Sequence, residues 1–356
     1  MTKKWQSNVI QDQNYIAPHI KVGPGVIRPT VIAVGDPFRC EVVAKMCEKY
    51  EEIQWNREYR LYNVTFEDAD LSIVSHGIGG PGAAICFEEM IKLGAKTIIR
   101  LGTCGAMQPY IKTGDLIVVS GACREDGYSE FVVPQGFPAV GDNELTLNLY
   151  NKAKALNSTV HIGVCLTSGL FYQGPSIPST YRHNADAGAL MVEMEVSALF
   201  IIGTMRGIRT AAIATADGNV FNQGDYDPHG QIVAEGKIKM LKIGLNVAKQ
   251  AAYEDSQKEF PHIFDSQTQL KYLDIFRTKS LFEYLQGQQD LDDKKKAVIM
   301  KLTIQGQFVN FKFFLEKGTS LSEDEIMEAI ILFHKYQKGA DQEFYTKSTE
   351  FINGLG

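Results

Sequence analysis

Apolar and polar positions follow two rhythms along this chain. Short β-branched runs recur at Thr30–Val34, Leu61–Phe66, Leu71–Ser75, Thr97–Leu101 and Asp115–Ser120, each bounded by Gly, Pro or Asp, and they predict strands. Between the third and fourth, Ala83–Leu93 carries Ile85, Phe87, Met90, Ile91 and Leu93 at helical spacing, and Gly94 closes it. Further strands are predicted at His161–Thr167 and Thr210–Thr215, with helices over Glu193–Arg206 and Ile232–Ala252. Strands interleaved with helices of this length predict an α/β fold with a mixed, largely parallel and buried central sheet flanked by helices.

Past residue 254 the texture changes. Leu270, Leu273, Phe276, Leu281, Phe282 and Leu285 recur at helical spacing before Gly287. Ser322 and Glu325 form a capping box ahead of Ile326, Ile330, Ile331 and His334, and Gly339 ends that helix. The predicted division is an α/β domain over 1–253 and a helix-rich C-terminal extension over 254–356. The extension either packs on an oligomer or a partner, or only adds stability.

Composition narrows the function classes. With 356 residues, 44% hydrophobic and 22% charged, the chain is neither disordered, collagen-like nor a disulfide scaffold. A net charge of −6 argues against a nucleic-acid partner or a basic membrane-surface protein, so any anion must be held by a few local groups. The six cysteines form no CxxC pair and no cluster with His, so no metal site is expected from them. Met1–Ile10 has no apolar core and no run of about 18 apolar residues exists, so a soluble, cytosolic protein without a membrane segment is expected.

His76–Gly82 contains a literal GxGxxG between a strand and a helix. A dinucleotide site also needs an acid at the end of the next strand, to hold a ribose diol. Arg100 and Leu101 close that strand instead, and arginine suits an anion. Two strand ends repeat the theme, Gly35-Asp36-Pro37-Phe38-Arg39 and Arg100-Leu101-Gly102-Thr103. Guanidinium forks beside exposed backbone N–H groups would hold phosphate bidentately, and the alternative for each Arg is a solvated or ion-paired surface residue. Glu193 and Glu195 either cap the helix they open, or Glu195 faces a pocket and accepts hydrogen bonds from a sugar diol. Asp217 before Gly218 is a turn residue or a proton donor. Phe171 and Tyr172 fill the core or stack on a planar base.

Taken in order, Gly35-Asp36-Pro37 with Arg39, Asn56-Arg57-Glu58-Tyr59, Ser75-His76-Gly77-Ile78-Gly79, Arg100-Leu101-Gly102-Thr103, Phe171-Tyr172, Val192-Glu193-Met194-Glu195 and Asp217-Gly218 resemble the nucleoside phosphorylase superfamily. That superfamily includes hexameric purine nucleoside phosphorylases and uridine phosphorylases. The resemblance covers roughly residues 15 to 253 and is nearest to the purine enzymes of apicomplexan parasites. It implies a pentosyltransferase that converts a nucleoside and orthophosphate to free base and ribose 1-phosphate, a step of nucleoside salvage and catabolism. Phosphate is the co-substrate, and no metal or organic cofactor is implied. Gly35, Arg39, Arg100 and Thr103 would bind phosphate, joined by Arg57 from a neighbouring subunit. Met194 and Glu195 would hold the ribose, and His19 would reach across to its 5′-hydroxyl. Phe171 would stack on the base, beside Tyr172 and Val192. Asp217 would protonate the departing base, with Arg100 and Glu195 as its catalytic companions. A homo-oligomer of dimers assembled into a hexamer is implied.

Uridine enzymes read the uracil edge with a Gln and an Arg after the Phe-Tyr pair, and those positions fall here near Pro175 and Ile177. Asp217 matches the purine branch, whereas Gly77-Ile78-Gly79-Gly80-Pro81 and Thr103 read more like the uridine branch. Inosine or guanosine is the expected substrate, with uridine as the alternative and a non-catalytic nucleoside-binding role behind both.

Overall fold

The computed structural model describes residues 9–259, except 173, 175, 177, 223 and 225. The expected helices over 270–285 and 322–339 lie outside the described residues, as do Pro175 and Ile177. The compact unit that contains the sheet runs from Met1 to Lys258.

The chain folds as β1 (Thr30–Val34), α1 (Pro37–Ala44), β2 (Lys49–Asn56), β3 (Tyr59–Phe66), β4 (Ala69–Ser75), α2 (Gly80–Lys92), β5 (Thr97–Ala106) and β6 (Leu116–Glu125). It continues through β7 (Ala139–Val140), α3 (Asn143–Ala155), β8 (Val160–Ser168), α4 (Tyr181–Asp186), β9 (Met191–Glu193), α5 (Val196–Arg206), β10 (Arg209–Asn219) and α6 (Gln231–Glu259). One sheet takes the order β10-β6-β8-β9-β5-β1-β4-β3-β2, and β10 also pairs with β5, so that end of the sheet closes on itself.

Parallel pairing holds the centre: β4, β1, β5 and β10 run side by side. Antiparallel pairs close the margins at β2–β3–β4, β6–β10, β6–β7 and β5–β9. In β1 the alternation of side chains sends Val31 and Ala33 into one buried cluster, with α2 and α5, and Ile32 and Val34 into another, with α1, α3 and α6. Both faces are therefore dry, which is why β1 reads as an unbroken β-branched run. Five of the six cysteines are buried free thiols inside this packing.

Several elements differ from the sequence expectation. β2 is exposed and polar along Lys49–Glu52, so it carries no apolar alternation to betray it. It is held by pairing to β3 instead, with Arg57 at φ 56° in the two-residue turn. α1 is too short to show a stripe; Asp36 caps it by accepting from the Phe38 N–H at 2.9 Å, and Pro37 opens it. Glu193 ends β9 and does not start a helix; α5 begins at Val196. α6 continues beyond Ala252 to Glu259, and Arg209 bonds that last stretch through Glu254 and Asp255 at 2.8 and 2.9 Å. Among the described residues no helix is long and apolar enough to cross a membrane.

Candidate active site

The carboxyl ends of the central strands define a shared rim. Val34 of β1 is level with Ser75 of β4 and Leu101 of β5, so Gly35, His76 and Gly102 follow side by side. Thr103 of β5 is level with Thr215 of β10, which brings Asp217 to the same rim. β1 lies between two strands reached by opposite turns of the chain, the place where open α/β sheets hold ligands.

Arg100 is the buried charge of the site. Its guanidinium lies along its own strand across Gly102, where any Cβ would collide with Nη1. Nη2 bonds the Glu195 carboxylate and stands 3.2 Å from Oε2 of Glu193, while Nε and Nη1 are buried without a partner. Unpaired donors on a buried cation are costly, about 1–3 kcal/mol each. They leave an unmet demand for an acceptor at this rim.

The two acids divide the tasks that the sequence left open. Glu193 is the cap: it accepts from the N–H groups of Glu195 at 2.8 Å and Val196 at 3.0 Å, and from the Thr167 hydroxyl at 2.6 Å. Glu195 makes no capping bond. Its Oε1 accepts from the Gly79 N–H at 2.7 Å, across 116 residues. Gly79 can turn that N–H inward because its φ of 93° suits only glycine. The GxGxxG segment therefore presents a backbone donor to a protein carboxylate. Burial raises the Glu195 pKa, but Arg100 and the Gly79 N–H outweigh it and hold the carboxyl below its ordinary value.

Arg39, half-buried on α1, has its pKa lowered by burial and is acted on electrostatically by Asp36, Arg100, Asp217 and Glu195. Four groups from β1–α1, β5, α5 and β10 thus share one field. Asp217 sits at the bulge where the β10–β5 register shifts between Ala216 and Gly218, a device that re-aims a side chain. Burial raises its pKa to about 6, against the pull of Lys237 and Arg39. A carboxyl so poised can hold a proton near neutral pH and give it up to a substrate.

Gly35, Arg39, Arg100, Thr103, Val192, Met194, Glu195 and Asp217 are thus brought to one end of the sheet, Val192 by pairing with Gly105. The loop after β8 leaves Phe171 and Tyr172 59% and 87% exposed with rings 5.1 Å apart, so they do not fill the core. His19 and Arg57 have other surroundings. His19 is tied to Glu89, ten residues along α2 from Gly79, which at 1.5 Å per residue is about 15 Å away. Arg57 is exposed at the β2–β3 turn.

Three site residues escaped the sequence reading. Lys237, whose Nζ bonds the Pro228 carbonyl at 2.8 Å, stands on the buried stripe of α6 between Val233 and Leu241. A lysine on an apolar stripe was its signal. His76 is fully buried, both ring nitrogens lack a partner, and burial lowers its pKa to about 4, so it is neutral. Glu193, for which the sequence offers only a capping role, caps while also facing Arg100.

Residues 29–247 match the family model described as Phosphorylase superfamily. A purine nucleoside phosphorylase of Plasmodium falciparum is 38% identical over 237 residues, covering 66% of this chain and 96% of that protein. A uridine phosphorylase of Thermococcus kodakarensis is 35% identical over 238 residues, covering 63% and 86%. Among solved structures, the Toxoplasma gondii purine nucleoside phosphorylase in complex with immucillin-H superimposes with a TM-score of 0.65 at 38% identity, covering 67% of this chain and 97% of that one.

Proposed function

The chain belongs to the phosphorylase superfamily, and on that premise we propose that it cleaves purine nucleosides, inosine or guanosine, with orthophosphate to give free base and ribose 1-phosphate. The observation that carries the reading is the shared field of Arg39, Arg100, Glu195 and Asp217 at one rim. Arg39 and Arg100 supply the charge for phosphate, with Gly35 and Thr103 beside them. Glu195 and Met194 hold the ribose, with Glu195 accepting from its hydroxyls. The glycosidic bond breaks through an oxocarbenium-like sugar, and phosphate on one face stabilises that cation electrostatically. The electron pair of the broken bond goes to the base, and protonated Asp217 delivers its proton to N7 of the purine. Phosphate oxygen then bonds to the anomeric carbon. Phe171, Tyr172 and Val192 accommodate the base. The scheme uses no metal or organic cofactor.

Of the two remaining residues, His19 is bonded to Glu89, about 15 Å of helix from Gly79, and Arg57 is exposed at the β2–β3 turn. In the proposed enzyme they complete the site of a second copy, His19 at the 5′-hydroxyl and Arg57 at the phosphate, which makes the active form an oligomer built from dimers. Uridine is the second reading, favoured by Thr103 and by Gly77-Ile78-Gly79-Gly80-Pro81. Initial rates on inosine and uridine, each with and without orthophosphate, decide between them. Phosphate-dependent hypoxanthine release well above uracil release is expected. Uracil dominating would demote Asp217, and turnover without phosphate would remove the phosphorolytic reading.

A further inference from the structure

His19 is held by two elements, α2 and the β2–β3 hairpin. Glu89, buried on α2, lies 2.6 Å from His19 Nδ1 through Oε1. The same carboxylate accepts from the backbone N–H of His19 at 3.1 Å and of Ile20 at 2.8 Å. On the other side, Asn56 Nδ2 donates to the His19 carbonyl at 2.7 Å, and Asn56 immediately precedes Arg57. Tyr59, two residues beyond Arg57, meets the imidazole edge-on at 6.3 Å between centroids. His19 and the Arg57 turn are therefore one platform.

We propose that Glu89 is the positioning residue of His19, fixing its imidazole as the Nδ1–H tautomer so that Nε2 meets the nucleoside as a hydrogen-bond acceptor. An ionised carboxylate that already accepts two backbone N–H groups has no proton to give, so at 2.6 Å the hydrogen belongs to Nδ1. In the Nδ1–H tautomer the lone pair is on Nε2, the ring nitrogen turned away from Glu89. This rests on the preceding reading, in which His19 meets the 5′-hydroxyl of a nucleoside held by a second copy. It adds a specificity: the 5′ position must offer a donor. A 5′-hydroxyl does, and a 5′-fluorine of nearly the same size does not. An acceptor facing fluorine loses its bond and meets a second lone pair, which lowers kcat/KM by about tenfold or more.

Two measurements on the full-length protein test this. Two-dimensional ¹⁵N NMR of histidine-labelled protein reads the tautomer directly, with His19 assigned through His19→Gln. The Nδ1–H form is expected in the parent and a shift toward Nε2–H in Glu89→Gln; an Nε2–H ring in the parent overturns the proposal. The second measurement compares kcat/KM for inosine and 5′-deoxy-5′-fluoroinosine. The preference for inosine should collapse in His19→Gln and shrink in Glu89→Gln, with no further loss in the double variant. Equal losses on both substrates in Glu89→Gln would make Glu89 a purely structural prop and overturn the proposal. Absence of turnover by the parent refutes the nucleoside reading instead, and the NMR arm still decides whether Glu89 sets the ring.

Discussion

Replacing Asp217 by Asn separates the stability of this site from its chemistry. The Asp217 carboxyl has its pKa raised by burial from 3.8 to about 6. Its charged form is therefore disfavoured in the folded chain by at most about 3 kcal/mol, at about 1.4 kcal/mol per pH unit. A raised acid pKa means that the folded state binds more protons than the unfolded state between about pH 4 and pH 6, so stability falls with rising pH across that window and stays lower above it. Asp217→Asn removes the titration. The variant should match the parent near pH 4 and exceed it above pH 6, with a Tm gain of about 2–4 °C for each kcal/mol. At pH 7 about a tenth of the parent carries the proton, the form that the proposed mechanism uses as general acid. An amide can hydrogen-bond N7 but cannot deliver a proton, so kcat/KM for inosine should drop by about 10²- to 10⁴-fold. The decisive assay adds 7-methylguanosine, whose N7 is already quaternised and whose base leaves without protonation. A large loss on inosine with a small loss on 7-methylguanosine is expected. Equal losses on both, or a variant less stable than the parent at pH 7.5, would refute the assigned role.

Three further outcomes follow from the same rim. Arg100→Ala removes the cation between Glu193 and Glu195; the phosphate KM should rise steeply and stability should fall by about 3–5 kcal/mol, read by phosphate titration and by chemical denaturation. Unchanged phosphate kinetics would take Arg100 out of the site. Gly102→Ala places a Cβ against Nη1 of Arg100, so turnover should fall while the circular dichroism spectrum stays that of the parent; full activity would mean that the guanidinium has another path. Lys237→Met withdraws a cation that lowers the Asp217 pKa, so the alkaline limb of the kcat/KM profile should move to higher pH, and a shift to lower pH would contradict that coupling.

What the chain discloses about its fold follows from where burial writes a pattern. β1, β4 and β5 are buried on both faces over most of their length, so apolar runs survive in them, and their ends are punctuated by the Gly and Arg residues that build the rim. α3 carries a stripe at Leu145, Leu149 and Ala153 behind the Asp142 cap, and the polar residues over the rest of the helix mask it. β2 could not be read at all: its exposed Lys49–Glu52 stretch is specified by its hairpin partner. The anion reading of Arg39 and Arg100 stands on residue type and place, both local facts.

Long-range pairing is where sequence reasoning stopped. Glu193 and Glu195 are two residues apart, and as a helix-opening pair they look interchangeable. β9 ends at Glu193 and the chain bends through Met194 and Glu195 into α5, and both carboxylates turn toward Arg100. Glu193 then spends its oxygens on the start of α5, while Glu195 spends one on Arg100 and one on Gly79, the residue just before α2. The second arrangement can open to a sugar diol, since a hydroxyl can replace the Gly79 N–H or share the Arg100 bond without uncapping a helix. The first cannot, because its bonds satisfy the N–H groups at the α5 start and the buried Thr167 hydroxyl. Glu195 is therefore the acid free to serve a ligand, and the reason lies in partners 95 and 116 residues away along the chain.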